Sequence, residues 1–195
     1  MSNISDLIIK TSSKFLNLYE TKENAEWNTT ADNIDAPKIL EDIMQQVGWR
    51  EGWPYCMAFS EAVYIQSYKA ATAPSSVIEY ISKLLNPSVM QSFNRVKSKG
   101  KVSIKPEVGS IFFMQKGFTG NGHAGIVIGY NEKTNKIATI EANTSPGVAT
   151  TAERDRNGDG IYKKIRTLDF TEHQYNLHLK GFLNPIRWRN DGTII

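Results

Sequence analysis

The apolar residues change period near the middle of the chain, and this limits the folds open to it. Through the first half they recur at spacings of three and four, the interval of one helix face. Ile4, Leu7, Ile8, Thr11, Phe15, Leu18 and Tyr19 make the first such stripe. Asp35 is placed to cap a second helix, with Pro37 tolerated in its first turn, Ile39, Leu40, Ile43, Met44 and Val47 on its apolar face, and Gly48 at its end. A third helix begins around Cys56, with Phe59, Ala62, Val63 and Ile65 facing inward. Ser76 and Glu79 read as a capping box for a fourth. Pro87 separates it from a fifth, short helix holding Val89, Phe93 and Val96.

In the second half the period changes. The segments VGSIFFM, HAGIVIGY, KIATIEA, GIYKKIRT and LKGFLNPIRW are short, β-branched or aromatic, and separated by turns, so they read as strands. YNEKTNK between two of them reads as a hairpin connection. Helices followed by a meander predict an α+β fold, a helical N-terminal half packed on a mainly antiparallel β-sheet. No repeat, low-complexity segment or long Gly/Ser linker interrupts it, so one domain over residues 1–195 is expected.

Composition excludes some classes. No apolar run approaches the roughly 18 residues that a membrane span needs. The net charge of +3 is interspersed, unlike the concentrated basic patch of nucleic-acid binders. Neither a membrane nor a nucleic acid is an expected partner, and a monomer is. The densest basic stretch, YKKIRT, reads as a solvated strand face, with contact to an anionic polymer such as bacterial cell wall as the alternative. The start, MSNISDLIIK, has no basic n-region and only three adjacent apolar residues, unlike a secretory signal. The expectation is a chain made in a cytosol and delivered by other means if it acts outside. A single cysteine allows no intramolecular disulfide.

That cysteine, Cys56, is either a small buried apolar residue or a nucleophile. A thiol becomes useful as a thiolate, which a helix N-terminus or a neighbouring imidazolium stabilises. Cys56 is predicted in the first turn of a helix. Of three histidines, His123 starts a strong strand in NGHAGIVIGY, where it would be held rigidly. His173 and His178 lie in the loop-like TEHQYNLHLK, and their spacing does not match a helical metal pair. A base histidine needs an acceptor on its other nitrogen. The next strand offers Glu141 and Asn143, two apart and so on one face, with Ile140 and Ala142 on the other. Trp49, Trp53 and Tyr55 cluster before Cys56, either lining a groove or packing in the core. DRNGDG, Asp155 to Gly160, begins like a calcium loop, but Arg166 stands where such loops carry a bidentate Glu. A polar turn is the better reading, and no metal is expected.

Together, GWPYCMAF, KPEVGSIFFM, GHAGIVIGY and IEANTSPG resemble, in order and approximate spacing over about residues 20 to 185, the CHAP family of cysteine peptidoglycan amidohydrolases, within the papain-like and NlpC/P60-like group. Tyr55 stands where such proteins often have Trp, and Ser110 where they often have Asp. The resemblance implies a papain-like fold with Cys56 as nucleophile, His123 as general base, Glu141 orienting the imidazole and Asn143 as an auxiliary polar group. From the aromatic cluster before Cys56, Trp53 and Tyr55 are the expected substrate contacts, and no cofactor is expected. The implied activity is hydrolysis of a peptidoglycan amide, as an N-acetylmuramoyl-L-alanine amidase or a peptide endopeptidase, after delivery by a holin, a phage tail or a secretion system. The rivals are a non-hydrolytic wall-binding module of the same fold, and a papain-like protease or acyltransferase acting on a protein or lipid.

Overall fold

The computed structural model describes residues 3–29, 34–146, 158–174 and 176–195. Its helices are α1 (Ile4–Ser13), α2 (Ala36–Gln46), α3 (Cys56–Ala70), α4 (Ser75–Leu84) and α5 (Val89–Ser98). A small hairpin of β1 (Glu20–Lys22) and β2 (Glu26–Trp27) lies between α1 and α2. Then follow β3 (Val102–Ser103), β4 (Ile111–Lys116), β5 (Gly122–Asn131), β6 (Lys136–Thr144), β7 (Gly160–Thr167) and β8 (Leu177–Leu183). These six make one antiparallel sheet in the order β3-β8-β4-β5-β6-β7. The expected α+β architecture with an antiparallel sheet is present, and no helix among the described residues is long and apolar enough to cross a membrane.

The helix that starts at Cys56 is the centre of the packing. A helix that is apolar on all sides belongs in a core, and α3 is buried around nearly its whole circumference. It touches α1, α2 and α4 on one side and β5 and β6 on the other. Ile111, Phe113, Ala124, Ile126, Ile140 and Ala142 cover it from the sheet. The opposite face of the sheet carries a smaller core of Phe112, Met114, Val127, Ile137, Leu179 and Phe182. Strands β4 to β6 are therefore buried on both faces near their middle, which is why they read as nearly continuous apolar runs.

Several local expectations are corrected. The first stripe ends as helix at Ser13; Asn17 takes a left-handed backbone (φ 66°), and Phe15 and Leu18 are buried from the following turn. Asp35 stands at the start of α2 but makes no side-chain capping bond. Pro74 precedes α4, so Ser76 lies inside the first turn and the Ser76–Glu79 box does not form. His178 sits within β8, not in a loop, and is 1% exposed.

Polar side chains of α3 bind the helix to the sheet. The Tyr64 hydroxyl donates to the Gly109 carbonyl at 2.7 Å, with the Leu183 carbonyl 3.1 Å away, and the Tyr68 hydroxyl donates to the Ile186 carbonyl at 2.8 Å. Both rings are fully buried. Replacing Tyr64 by Phe keeps the ring and takes the hydroxyl donor from the buried Gly109 carbonyl. Tyr64→Phe is expected to lower stability by about 1–3 kcal/mol, read as a reduced urea midpoint at unchanged slope.

Candidate functional site

Cys56 is the first residue of α3, so its side chain lies beside N–H groups that have no intrahelical acceptor. Three hydrogen bonds hold it there. The Tyr55 N–H just before it donates to Asn143 Oδ1 of β6 at 3.3 Å, the Ser60 hydroxyl donates to the Cys56 carbonyl at 2.9 Å, and the Phe59 N–H donates to the Tyr55 carbonyl at 2.8 Å. Cys56 is 4% exposed and lies on the floor of a surface groove.

His123 is the second residue of β5, opposite Met114 of β4, and is fully buried. Its ring packs on Phe112, with centroids 5.9 Å apart. Nε2 lies 2.8 Å from Glu141 Oε2. With that carboxylate accepting from Nε2–H, Nδ1 carries the lone pair of the neutral ring. Nδ1 is buried without a nitrogen or oxygen partner, and it is the nitrogen left for the Cys56 thiol. Burial alone would push the thiol up and the imidazole down. Their mutual hydrogen bonding and charge, with the Ala124 and Met57 N–H groups for the thiol and Glu141 for the imidazole, reverse both shifts. The thiol ends below its usual range and the imidazole above its own, the signature of a thiolate–imidazolium pair.

Glu141 is fully buried on β6 and has three side-chain partners. Besides His123 they are the Thr139 hydroxyl, donating to Oε1 at 2.5 Å, and the Arg166 guanidinium, donating from Nε to Oε1 at 2.8 Å and from Nη2 to Oε2 at 2.5 Å. Burial would raise this carboxyl; the charge and hydrogen bonds of Arg166, then those of His123, hold it well below the usual carboxylate range. Gly125, two residues beyond His123, makes room: a Cβ there would lie 2.8 Å from Glu141 Cγ and 2.8 Å from the Phe112 ring.

Cys56, His123 and Glu141 thus come together. Asn143 does not join them on the imidazole. The β6–β7 register slips between Glu141 and Thr144, and Asn143 takes a left-handed backbone (φ 56°). Its Oδ1 serves the Tyr55 N–H, and its Nδ2 donates to the Gly158 carbonyl at 3.0 Å. It fixes the chain just before Cys56. Tyr55 is corrected from a substrate contact to a core residue: it is fully buried, its ring edge-on to Trp27 at 5.7 Å. Trp49 is in the same core, whereas Trp53 is 46% exposed and lines the groove over Cys56. Of DRNGDG, residues 155–157 lie outside the described residues; Asp159 Oδ1 accepts from the Tyr162 hydroxyl at 3.3 Å. His173 is paired with Asp169 at 3.0 Å, away from these groups.

Thr139 and Arg166 were not among the residues expected at the site. Thr139 had a legible signal, since it lies two residues before Glu141 and so shares its strand face. YKKIRT is not a solvated face throughout. Lys164 is 8% exposed with Nζ donating to the Ser145 carbonyl, and Arg166 turns inward, whereas Ile165 between them is exposed.

No family model matches the chain, and no curated protein matches it.

Two outcomes follow from this geometry. Alkylation of Cys56 by iodoacetamide, followed by mass spectrometry against pH, should show thiolate reactivity beginning below the range of a free thiol. His123→Ala should move that onset upward in a protein that still folds. Arg166→Met leaves a buried carboxylate short of its main countercharge, and is expected to cost about 3–5 kcal/mol in urea unfolding at neutral pH. The lowered pKa of Glu141 gives the sign of the pH dependence: its contribution is present above the ordinary carboxyl value and is lost as pH falls through its lowered one. The difference between wild type and variant should therefore shrink in acid.

Proposed function

We propose that the chain is a cysteine amidohydrolase of the papain-like CHAP and NlpC/P60 kind and hydrolyses an amide bond of bacterial peptidoglycan. The observation that carries this reading is the division of labour on His123: Nε2 is held by a buried carboxylate, and Nδ1 is left to a thiol at a helix start. A cysteine-bearing helix packed on an antiparallel sheet, with the histidine and its acceptor on adjacent strands, supports a papain-like reading. The peptidoglycan substrate rests on the likeness of the four sequence segments to the CHAP pattern.

In this mechanism the Cys56 thiolate attacks the amide carbonyl, forming a C–S bond. The developing oxyanion lies beside the first-turn N–H groups of α3, with the Cys56 N–H the nearest candidate donor. His123, holding the former thiol proton, gives it to the leaving nitrogen as the C–N bond breaks. An amine departs and a thioester remains. Water then attacks the thioester, His123 takes its proton, and the C–S bond breaks to give a carboxylic acid and the starting thiolate–imidazolium pair. Glu141 exchanges no proton with substrate; it fixes the ring and stabilises the imidazolium. A non-hydrolytic wall-binding module would have no use for a thiol of lowered pKa. A protease or acyltransferase of the same group would share these steps and differ in acceptor.

Release of soluble fragments from purified sacculi tests the reading, with circular dichroism as folding control. Cys56→Ala should abolish release. His123→Ala should be as damaging, and the double variant little worse, because residues of one catalytic unit are not additive. Asn143→Ala should lose only several-fold, through the Tyr55–Cys56 backbone. A folded Cys56→Ala that retained activity would overturn the assignment.

The pH profile is a separate check. The reactive pair exists from the lowered thiol value upward and is lost as the imidazolium deprotonates, at a pKa raised to about 9. The basic limb of kcat/KM should fall near there. Glu141→Gln removes one of the groups that raise the imidazole, so that limb should move to lower pH.

A further inference from the structure

A groove of about 330 Å³ opens over Cys56. Its walls come from the segment before α3, the α4–α5 connection and the β4–β5 hairpin, through Trp53, Ser88, Val89, Gln91, Asn121 and their neighbours. Among the described residues no Asp, Glu, Lys, Arg or His side chain lines it, in a chain of which 22% of the residues are charged. Arg50 stacks over the Trp53 ring at 5.6 Å but is not part of the lining.

Its polar groups are neutral amides held ready. Asn86 Nδ2 donates to Gln91 Oε1 at 2.7 Å, which fixes one end of the Gln91 amide and leaves its Nε2 unengaged. The Asn121 side chain makes no hydrogen bond to the described protein groups, and the hairpin presenting it is rigidly tied. Within it the Lys116 N–H donates to the Asn121 carbonyl at 3.0 Å, the Thr119 hydroxyl to the Lys116 carbonyl at 2.7 Å, and Gln115 Nε2 to the Thr119 carbonyl at 2.7 Å. Gly117 allows the close docking of this turn, since a Cβ there would lie 2.0 Å from the Gln174 carbonyl oxygen. Trp53 adds a half-exposed aromatic face.

We propose that this groove binds the uncharged N-acetylated sugar next to the scissile bond, so that the amide cut is the one joining the sugar's lactyl group to the first stem-peptide residue. This rests on the peptidoglycan reading above. Bonds deeper in the stem peptide have ionised groups close by: the free carboxylate of the γ-linked glutamate, the charged side chain of the third residue, and the terminal carboxylate. A groove walled only by neutral side chains offers these no partner beyond the reacting thiolate and desolvates them unfavourably. A sugar needs the opposite. Its acetamido group pairs with the complementary donors and acceptors of Gln91 and Asn121, its hydroxyls with Ser88, and its apolar C–H face with Trp53. The volume suits a group of monosaccharide size. A glycine cross-bridge is also uncharged, but it has no side chain to fill the groove or to lie on Trp53.

Mass spectrometry of a sacculus digest tests the proposal. The expected products are sugar chains with free lactyl carboxylates, and stem peptides with a free N-terminal alanine. New ends inside the stem peptide or cross-bridge, with the lactyl amide intact, would overturn the proposal and leave amide hydrolysis standing. No new ends at all, with Cys56 still reactive to iodoacetamide, would overturn both. On a soluble N-acetylmuramoyl peptide, Trp53→Ala and Asn121→Ala should each raise KM by about three- to tenfold, the effect of losing one neutral contact, with a smaller change in kcat. Asn121→Asp should raise KM further. An unchanged KM in all three variants would remove the groove as the sugar site.

Discussion

A carboxylate shut away from water has to be neutralised by the protein around it, and Glu141 meets this condition with every bond it can accept. Arg166 reaches it from β7, His123 from β5 and Thr139 from its own strand. The strands β5, β6 and β7 are therefore joined by one ionic centre as well as by their backbone ladders. An ionised group left short of partners in such a place is strongly destabilising, so each partner constrains the others. Arg166 takes part of the carboxylate's charge, leaving less for the imidazole. How basic His123 becomes is set jointly by the thiol in front of it and by the competition behind it.

The same centre explains the inverted pattern of β7. A strand at the end of a sheet normally shows charged side chains to water. Here Lys164 and Arg166 turn toward the interior, and Ile165 faces outward at 68% exposure. The demand for countercharge under Glu141 outweighs the gain from burying one isoleucine. The exposed edge of this strand is partly covered by the turn after α1. The Asn17 N–H donates to the Ile161 carbonyl, the Ile161 N–H to the Leu18 carbonyl, and Tyr19 bridges to Gly160. The left-handed Asn17 lets the chain make that turn.

Much of this was legible in the amino-acid order, for identifiable reasons. The helical and strand periods separate the two halves because each face must be buried at its own repeat. Cys56, His123 and Glu141 were legible because each breaks a local rule: a thiol at a helix start, a Gly-His at the head of an apolar strand, a carboxylate inside one. Arg166 was not, since its partner is fixed by the register between β6 and β7, which no local pattern encodes. Asn143 was placed on the wrong partner because strict alternation fails where the register slips. Tyr55 and Trp53, two residues apart, were read alike, yet one fills the core and the other lines the groove. Only the turn geometry between α2 and α3 separates them. The missing Ser76–Glu79 box has a similar cause, since the helix is capped at Pro74, two residues earlier than Ser76.

The topology also orders events in time. Cys56 belongs to the first half of the chain, whereas His123 and the Ala124 N–H, which together with the neighbouring Met57 N–H lower its pKa, belong to the second. The contact that steadies its backbone, from Tyr55 to Asn143, spans 88 residues. Pairings of that range form late, because a long loop must close before they contribute. A nascent or partly unfolded chain therefore carries an ordinary, sluggish thiol. The imidazole meets Cys56 only when β5 and β6 have docked on α3 and β7 has paired with β6, so the fold itself delays the lowering of the thiol's pKa until assembly is complete.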